Sequence, residues 1–289
     1  RLEHHANYLP WQRLCLEAGA SLKTIELDEQ GQLLLPADDE LFHPRVKLIA
    51  LSMVSNVLGT MAPIQAISEK ARARDISVMV DGAQAVAHNK VNVETLGCDF
   101  FAFSAHKMYG PNGIGGLYAR QDRLEAMEPL LVGGGMVDHV SPNGSTWSPS
   151  PAKFEAGSPN LADAVGLAAA ADYLESIGMD TVHQHLQALT QTALQKLDSM
   201  PGIRIYGATD AALRAGIIAF DIEGVHPHDT AQIAGEHNVA IRAGHHCCQP
   251  LMQSLGIAAT SRASFGIYND EIDIDALIEA VKAAQEFFG

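Results

Sequence analysis

Alternating strand-like and helical segments in the first part of the chain limit its possible folds. A mostly apolar run at 46–53 is followed by a helical pattern at 63–74. A second buried run at 76–80 ends at Asp81, and a third strand is predicted at 100–103. Buried strands that alternate with helices are typical of βαβ units, in which a helix carries the chain between parallel strands. The pattern therefore predicts an α/β fold with a mostly parallel sheet.

The remainder of the chain has a different pattern. Residues 133–158 are rich in Gly, Ser and Pro, and predict a long irregular segment. Beyond it the sequence predicts three helices and two strands, at 161–177, 182–199 and 270–288 and at 203–206 and 216–222. We therefore predict a large domain over 1–165 and a smaller α+β domain over 166–289.

Composition excludes several classes of function. The 289 residues are 47% hydrophobic, which suits a globular core, and no apolar run reaches the length of a membrane-spanning helix. A net charge of −15 without a basic stripe argues against nucleic acid as a partner. The four cysteines form neither a CxxC pair nor a metal-binding array, so we expect no metal and a reducing, cytoplasmic location.

Lys107 and Asp81 are the first candidates for chemistry, because each comes at or just after the end of a predicted strand. Ligands of open α/β sheets bind beyond the carboxyl ends of the strands. A lysine in a polar loop can hold an aldehyde cofactor covalently, and a carboxylate can keep a pyridine nitrogen protonated. Taken alone, Asp81 could equally be a helix N-cap. Gln84 could bind the ring hydroxyl of such a cofactor or be an ordinary polar helix residue.

Six segments carry a resemblance to a known family. They are 3–7 (EHHAN), 54–60 (VSNVLGT), 80–85 (VDGAQA), 104–111 (SAHKMYGP), 154–160 (FEAGSPN) and 242–247 (RAGHHC). Together they resemble class V, fold-type I pyridoxal-phosphate enzymes, and most closely the SufS/CsdA-type (group II) cysteine desulfurases. The resemblance extends over the whole chain and implies a fold-type I transferase-like architecture with pyridoxal 5′-phosphate as the cofactor.

The resemblance implies roles for further residues. His4 would stack on the pyridine ring and take part in catalysis, and Asn56 would lie beside cofactor and substrate. Ser104 and His106 would bind the cofactor phosphate beside Lys107. Arg262 would grip the substrate carboxylate as a bidentate pair.

The resemblance also implies an assembly. Ser158 resembles a hydroxyl that the family sends into the phosphate site of the neighbouring subunit, which implies a homodimer. Members of the family have a further N-terminal segment before the position of Arg1, so the large domain would be incomplete if the chain began there.

Cys247 decides which reaction the sequence predicts. A desulfurase needs a thiolate that reaches the substrate sulfur, and Arg242, His245 and His246 would favour ionisation of this thiol. The predicted reaction converts L-cysteine to L-alanine and leaves a persulfide on Cys247. The short loop resembles the branch that passes sulfur to a SufE- or SufU-like acceptor protein, for iron-sulfur cluster assembly. Selenocysteine lyase activity and a non-catalytic fragment are the alternatives.

Other cysteines and histidines receive structural predictions. Cys248 is expected to be a small residue without a role in catalysis, and the alternative is that it exchanges the persulfide with Cys247. Cys15 and Cys98 are predicted to be core residues, and His88 is predicted to be structural. Residues 226–228 are predicted to begin a helix and to bind no metal.

Overall fold

Two four-stranded sheets organise the chain in the computed structural model, which describes residues 1–288. The strands are β1 Glu26–Leu27, β2 Leu33–Leu34, β3 Leu48–Ser52, β4 Ser77–Asp81, β5 Phe100–Ser104, β6 Gly115–Ala119, β7 Val137–Ser141, β8 Gly144–Trp147, β9 Ile203–Tyr206, β10 Ile217–Ile222, β11 Arg242–Gly244 and β12 Thr260–Ser264. The helices are α1 Leu9–Ala18, α2 Asp38–Leu41, α3 Ile64–Arg72, α4 Val93–Leu96, α5 Gln121–Ala126, α6 Leu161–Ile177, α7 Met179–Asp198, α8 Pro227–Glu236, α9 Gln249–Leu255 and α10 Glu271–Phe288. None of these helices is both long and apolar enough to cross a membrane.

The first sheet has the order β3-β4-β5-β6. β3, β4 and β5 are parallel, and β6 is antiparallel at the edge. Helix α3 buries Ile64, Ile67 and Ala71 in the same core as the side chains of β4, because its apolar residues recur at helical spacing. This mixed but largely parallel sheet confirms the predicted α/β fold.

The second sheet is antiparallel and has the order β11-β12-β10-β9. Strand β10 begins with four consecutive buried residues, as expected of a central strand covered on both faces. Helices α7, α8 and α10 contribute buried apolar residues to its core. The architecture of the C-terminal part agrees with a small α+β domain, and the boundary at residue 165 remains a prediction.

The predicted elements differ from the observed ones in three places. Helix α7 begins at Met179 rather than at 182, and Asp180 supplies a favourable negative charge to its first turn. Residues 137–147 form the hairpin β7-β8, where an irregular segment was expected. Its residues are mostly exposed and polar, so they lack the apolar alternation that identifies a strand in sequence. Gln84 lies in a run of turns at 83–88 rather than in a helix.

Buried contacts of Arg214 join the two parts of the chain. Its guanidinium donates hydrogen bonds to the carbonyl oxygens of Ala208 (2.6 Å) and Ile217 (2.8 Å). Its backbone forms an isolated antiparallel bridge with Thr60, and the neighbouring Ala215 N donates to Gly59 O at 2.9 Å. The loop that contains Asn56 is thereby held against the C-terminal sheet.

Candidate active site

The carboxyl ends of β4 and β5 define one edge of the first sheet. Asp81 is the last residue of β4 and pairs with Ala102 in β5. Strand β5 ends at Ser104, and a short 3-10 helix, Ala105–Met108, follows at once. That helix carries Lys107, so the register of two parallel strands brings the lysine and the carboxylate to one edge.

A cavity of about 470 Å³ lies at this edge. It is lined by eight of the predicted site residues, namely His4, Asn56, Asp81, Gln84, Ser104, His106, Lys107 and Arg262. Ser158 does not line it and is exposed in the turn that precedes α6. Cys247 is also outside the lining set and is half-buried on a neighbouring loop. The predicted roles of these residues remain predictions, but most of the residues share one cavity.

The environment of Lys107 favours its neutral amine. Burial is the main cause of a lowered pKa at Lys107, and the positive charges of Arg262 and Arg242 act in the same direction. The negative charge of Asp81 opposes this effect only in part. A lysine with a lowered pKa has more of the free amine that attacks an aldehyde or accepts a proton.

Asp81 is fixed at the end of its strand by the turn that follows. Its Oδ1 accepts a hydrogen bond from Ala83 N at 2.9 Å. The carboxylate therefore caps a turn and not a helix. Gly82 permits this geometry, because a Cβ at that position would lie 1.9 Å from the ring of Phe101.

His4 is held as a neutral ring at the cavity wall. Burial is the main cause of its lowered pKa, and the charge of Lys107 adds to the effect. Its Nδ1 accepts a hydrogen bond from Ala6 N at 3.1 Å, which leaves the proton of the neutral ring on Nε2. A neutral aromatic ring in a fixed orientation suits stacking against a pyridine ring.

Arg262 has an unused hydrogen-bond donor. Its Nη1 donates to the carbonyl oxygen of Asn56 at 2.8 Å, whereas its buried Nε has no partner. Burial lowers the pKa of this guanidinium to about 10, so it remains charged at neutral pH. A buried, cationic donor without a partner fits a carboxylate ligand.

Arg242 is a cavity residue that the sequence indicated only as a neighbour of Cys247. Strands β11 and β12 pair Arg242 directly with Arg262, and both arginines line the cavity. Arg242 Nη2 is also 3.7 Å from Cys247 Sγ. The RAGHHC segment contained the only sequence signal for this role, because the cross-strand pairing is not visible in the sequence.

The loop of Cys247 places its thiol beside a cation and not beside a base. Cys247 N donates a hydrogen bond to His245 Nδ1 at 3.0 Å, so the neutral ring of His245 carries its proton on Nε2. In that state His245 has no free lone pair to receive the thiol proton. Arg242 is therefore the charged side chain in contact with the Cys247 thiol.

Cys248 has an environment opposite to that of Cys247. Its side chain is fully buried, and its Sγ lies 3.1 Å from the carbonyl oxygen of Glu3 and 3.4 Å from that of Leu2. Burial raises the pKa of this thiol to about 12, so it stays protonated at neutral pH. These contacts support the structural interpretation of Cys248 and argue against persulfide exchange, which needs a thiolate.

The remaining predictions concern residues outside the cavity. Cys98 is buried as expected, whereas Cys15 is only partly buried on α1. His226 precedes α8 as predicted, and its side chain caps the helix by accepting a hydrogen bond from His228 N. Within residues 1–288, no group of three or more His, Cys, Asp or Glu side chains is arranged to hold a metal ion.

The cavity residues fit pyridoxal 5′-phosphate by the chemistry of their donor set. Lys107 offers an amine with a lowered pKa for the aldehyde, and Asp81 offers a carboxylate for the ring nitrogen. Ser104 and His106 offer a hydroxyl and an imidazole for a phosphate, and His4 offers a neutral ring for stacking. Fold and site together define an α/β class of protein whose cavity suits an aldehyde cofactor attached to a lysine.

Comparison with known proteins gives the family. The model of the class-V aminotransferase family matches residues 1–277, and the chain belongs to this family. A probable cysteine desulfurase of Halalkalibacterium halodurans is 46% identical over 288 residues, covering all of this chain and 70% of that protein. The crystal structure of the cysteine desulfurase CsdA from Escherichia coli superposes with a TM-score of 0.93 at 40% identity, over 100% of this chain and 71% of that one. The apo structure of the cysteine desulfurase from Thermococcus onnurineus NA1 superposes with a TM-score of 0.94 at 37% identity. The match covers 98% of this chain and 71% of that one.

Proposed function

We propose that this protein is a pyridoxal-phosphate-dependent cysteine desulfurase that converts L-cysteine to L-alanine and receives the sulfur on Cys247. The observation that carries the proposal is a half-buried thiol 3.7 Å from Arg242, an arginine that itself lines the cavity of Lys107 and Asp81. A class-V enzyme that transfers only an amino group needs no thiol there. Sulfur transfer does need one, as a nucleophile that can form an S–S bond.

Residues of one cavity would hold the cofactor. Lys107 would attach its aldehyde, Asp81 would pair with the protonated ring nitrogen, and Gln84 would bind the ring hydroxyl. Ser104 and His106 would bind the phosphate. When bound, the cofactor supplies an electron sink for the negative charge that develops at the substrate Cα.

The protein's own groups perform the remaining tasks. Arg262 binds the substrate carboxylate through its free Nε, with Asn56 beside the substrate. The amine of Lys107, whose pKa is lowered chiefly by burial, removes the Cα proton. Cys247 thiolate, held by Arg242, then attacks the substrate sulfur. The substrate Cβ–S bond breaks with its electron pair remaining on Cβ, and an S–S bond forms at Cys247. A proton added to Cβ and a proton returned to Cα complete alanine.

The assembly and the partner are part of the proposal. Ser158 is exposed and away from its own cavity, which suits a hydroxyl that completes the phosphate site of a second subunit in a homodimer. The loop of Cys247 is short and fixed, so we propose that a SufE- or SufU-like acceptor comes to the thiol and takes the sulfur for iron-sulfur cluster assembly in the cytoplasm.

The experiment that tests the function removes the thiol. Cys247→Ser is expected to keep the cofactor's visible absorption and its borohydride-reducible bond to Lys107, because that cavity is unchanged. It should lose more than 99% of the release of sulfide from L-cysteine in the presence of a thiol reductant, since serine cannot form a persulfide. Alanine and sulfide would be measured together.

Cys15→Ser is the matched control, because Cys15 is partly exposed on α1 and outside the cavity. It should turn over like the wild type. Normal turnover by Cys247→Ser would refute the assignment of the nucleophile.

A further inference from the structure

The backbone that carries Cys247 has a conformation that ordinary side chains seldom adopt. φ is +54° at His246 and +55° at Cys247, and neither residue is glycine. Left-handed residues other than glycine usually occur singly, because Cβ approaches the following carbonyl oxygen. Two in succession persist only where surrounding contacts hold them in place.

Contacts from two other segments, and one hydrogen bond within the loop, hold the backbone that carries Cys247. His5 N donates a hydrogen bond to the carbonyl oxygen of Cys247 at 2.8 Å. Asn56 Nδ2 donates to the carbonyl oxygen of His246 at 2.7 Å. Cys248 N donates to the carbonyl oxygen of His245 at 2.9 Å. These bonds fix main-chain atoms on both sides of the nucleophile.

The side chain of His246 is the one buried polar anchor at the left-handed pair. It is 1% exposed, and its Nε2 lies 2.9 Å from Thr260 Oγ1 and 3.0 Å from Thr260 O. Its Nδ1 is buried without a partner. Because a buried N–H without an acceptor is costlier than an unused lone pair, the proton belongs on Nε2, where it is donated to Thr260 O. Burial lowers the pKa of this ring to about 4, which keeps it neutral at neutral pH.

The anchor connects the nucleophile to the strand that carries the substrate-binding arginine. Thr260 and Arg262 both belong to β12, and Arg262 donates to the carbonyl oxygen of Asn56. We propose that His246 is a positioning residue that fixes Cys247 Sγ relative to Arg262 and Arg242, through its ring bond to Thr260. The proposal rests on the proposed function, and His246 itself does not line the cavity.

A positioning role predicts which step changes when the anchor is removed. His246→Leu fills a similar volume without a ring nitrogen, so the loop keeps its burial and loses its bond to Thr260. The kcat for alanine formation should fall at least tenfold, because the thiol is no longer held in position to attack the substrate sulfur. The KM for L-cysteine and the cofactor absorption should change less than twofold, since Arg262, Lys107 and Asp81 are untouched.

His246→Gln is the rescue variant. A glutamine amide nitrogen reaches the place of the imidazole Nε2 and can still donate to Thr260 O. It should keep at least a third of the wild-type kcat. His237→Leu is the matched control, because His237 is exposed at the end of α8.

A second measurement separates this proposal from the proposed function. The rate at which iodoacetamide alkylates Cys247 in the holoenzyme, followed by peptide mass, does not depend on turnover. It should differ at least threefold between the wild type and His246→Leu, and His246→Gln should stay near the wild type. If the wild type formed no alanine from L-cysteine, the proposed function would fail while this rate still tested the anchor.

The proposal is overturned by any of three results. They are unchanged kcat and unchanged alkylation in His246→Leu, an effect of that variant on KM alone, and an equal loss in His246→Gln and His246→Leu. Should His246→Leu not fold, His246→Met takes its place, because methionine also fills the space of the imidazole and cannot donate to Thr260 O. It should lower kcat as His246→Leu would, and His246→Gln remains the rescue variant.

Discussion

Two adjacent cysteines show how far environment decides the chemistry of a single residue type. Cys247 is half-buried, and its Sγ lies 3.7 Å from Arg242. Cys248 is turned into the core against the carbonyl oxygens of residues 2 and 3. The backbone changes from the left-handed region at Cys247 to φ −141° at Cys248, so the two side chains leave the chain in different directions. Cys247 Sγ lies beside an arginine side chain, whereas Cys248 Sγ lies beside main-chain carbonyl oxygens.

Cys248→Ala tests this distinction at the scale of one residue. The change removes a buried sulfur and its contact with Glu3 O, so we expect the free energy of unfolding to fall by about 1–2 kcal/mol. Rates of alanine and sulfide formation should stay within twofold of the wild type. Urea unfolding and the two product assays would measure this. Unchanged stability with a loss of sulfide release would instead indicate that Cys248 relays the persulfide.

At the scale of elements, the site depends on how closely the end of β4 approaches β5. Gly82 follows Asp81 directly, and the ring of Phe101 occupies the space where a side chain at residue 82 would begin. Phe101 is itself 2% exposed and part of the core, so it has little room to move. The close contact of these two residues sets where the carboxylate of Asp81 enters the cavity.

Gly82→Ala should therefore destabilise the fold by about 1–3 kcal/mol, because the added methyl overpacks the core. It should also weaken retention of the cofactor, since Asp81 is the preceding residue. Gly235→Ala is the matched control, because its Cβ on α8 meets no atom within 4 Å. That helix should gain up to about 1 kcal/mol from the better helix former. Urea unfolding of both variants measures the contrast, and equal stabilities would contradict this account of Gly82.

At the scale of the whole molecule, His88 packs the turn region after β4 against the C-terminal sheet. Its ring would lie 3.4 Å from a Cβ built on Gly216, and its Nδ1 is buried without a partner. Burial is the main cause that lowers its pKa to about 4. The folded protein therefore keeps this ring neutral at a pH where the unfolded chain already protonates it.

This difference predicts how stability depends on pH. Below a pH of about 6.5 the unfolded state binds a proton that the folded state refuses until about pH 4, so the free energy of unfolding falls as pH falls through that window. Between pH 7 and pH 5 the free energy of unfolding of the wild type should fall by about 2 kcal/mol more than that of His88→Leu. Urea unfolding at both pH values measures it. His237→Leu, at an exposed position, should keep the wild-type slope, and an unchanged slope in His88→Leu would refute the prediction.

The sequence determined the elements and the chemistry that they carry. Strands β3, β4 and β5 follow from short apolar runs, helix α3 from its helical pattern and helix α6 from its alanine-rich composition, because these are local properties of the chain. The ends of those strands indicated Asp81 and Lys107, and their parallel order brings both residues to one edge. The hairpin β7-β8 was not predicted, because its mostly exposed, polar residues show no alternation of apolar and polar side chains.

Tertiary structure decided what depends on contacts between distant segments. The pairing of β11 with β12 sets Arg242 opposite Arg262, and no spacing along the chain encodes that register. The bond from His246 to Thr260 and the opposite directions of Cys247 and Cys248 likewise exist only after the C-terminal sheet and the N-terminal segment have come together. Residue types are fixed by the sequence, but whether a cysteine lies beside an arginine or inside the core depends on the contacts that folding creates around it.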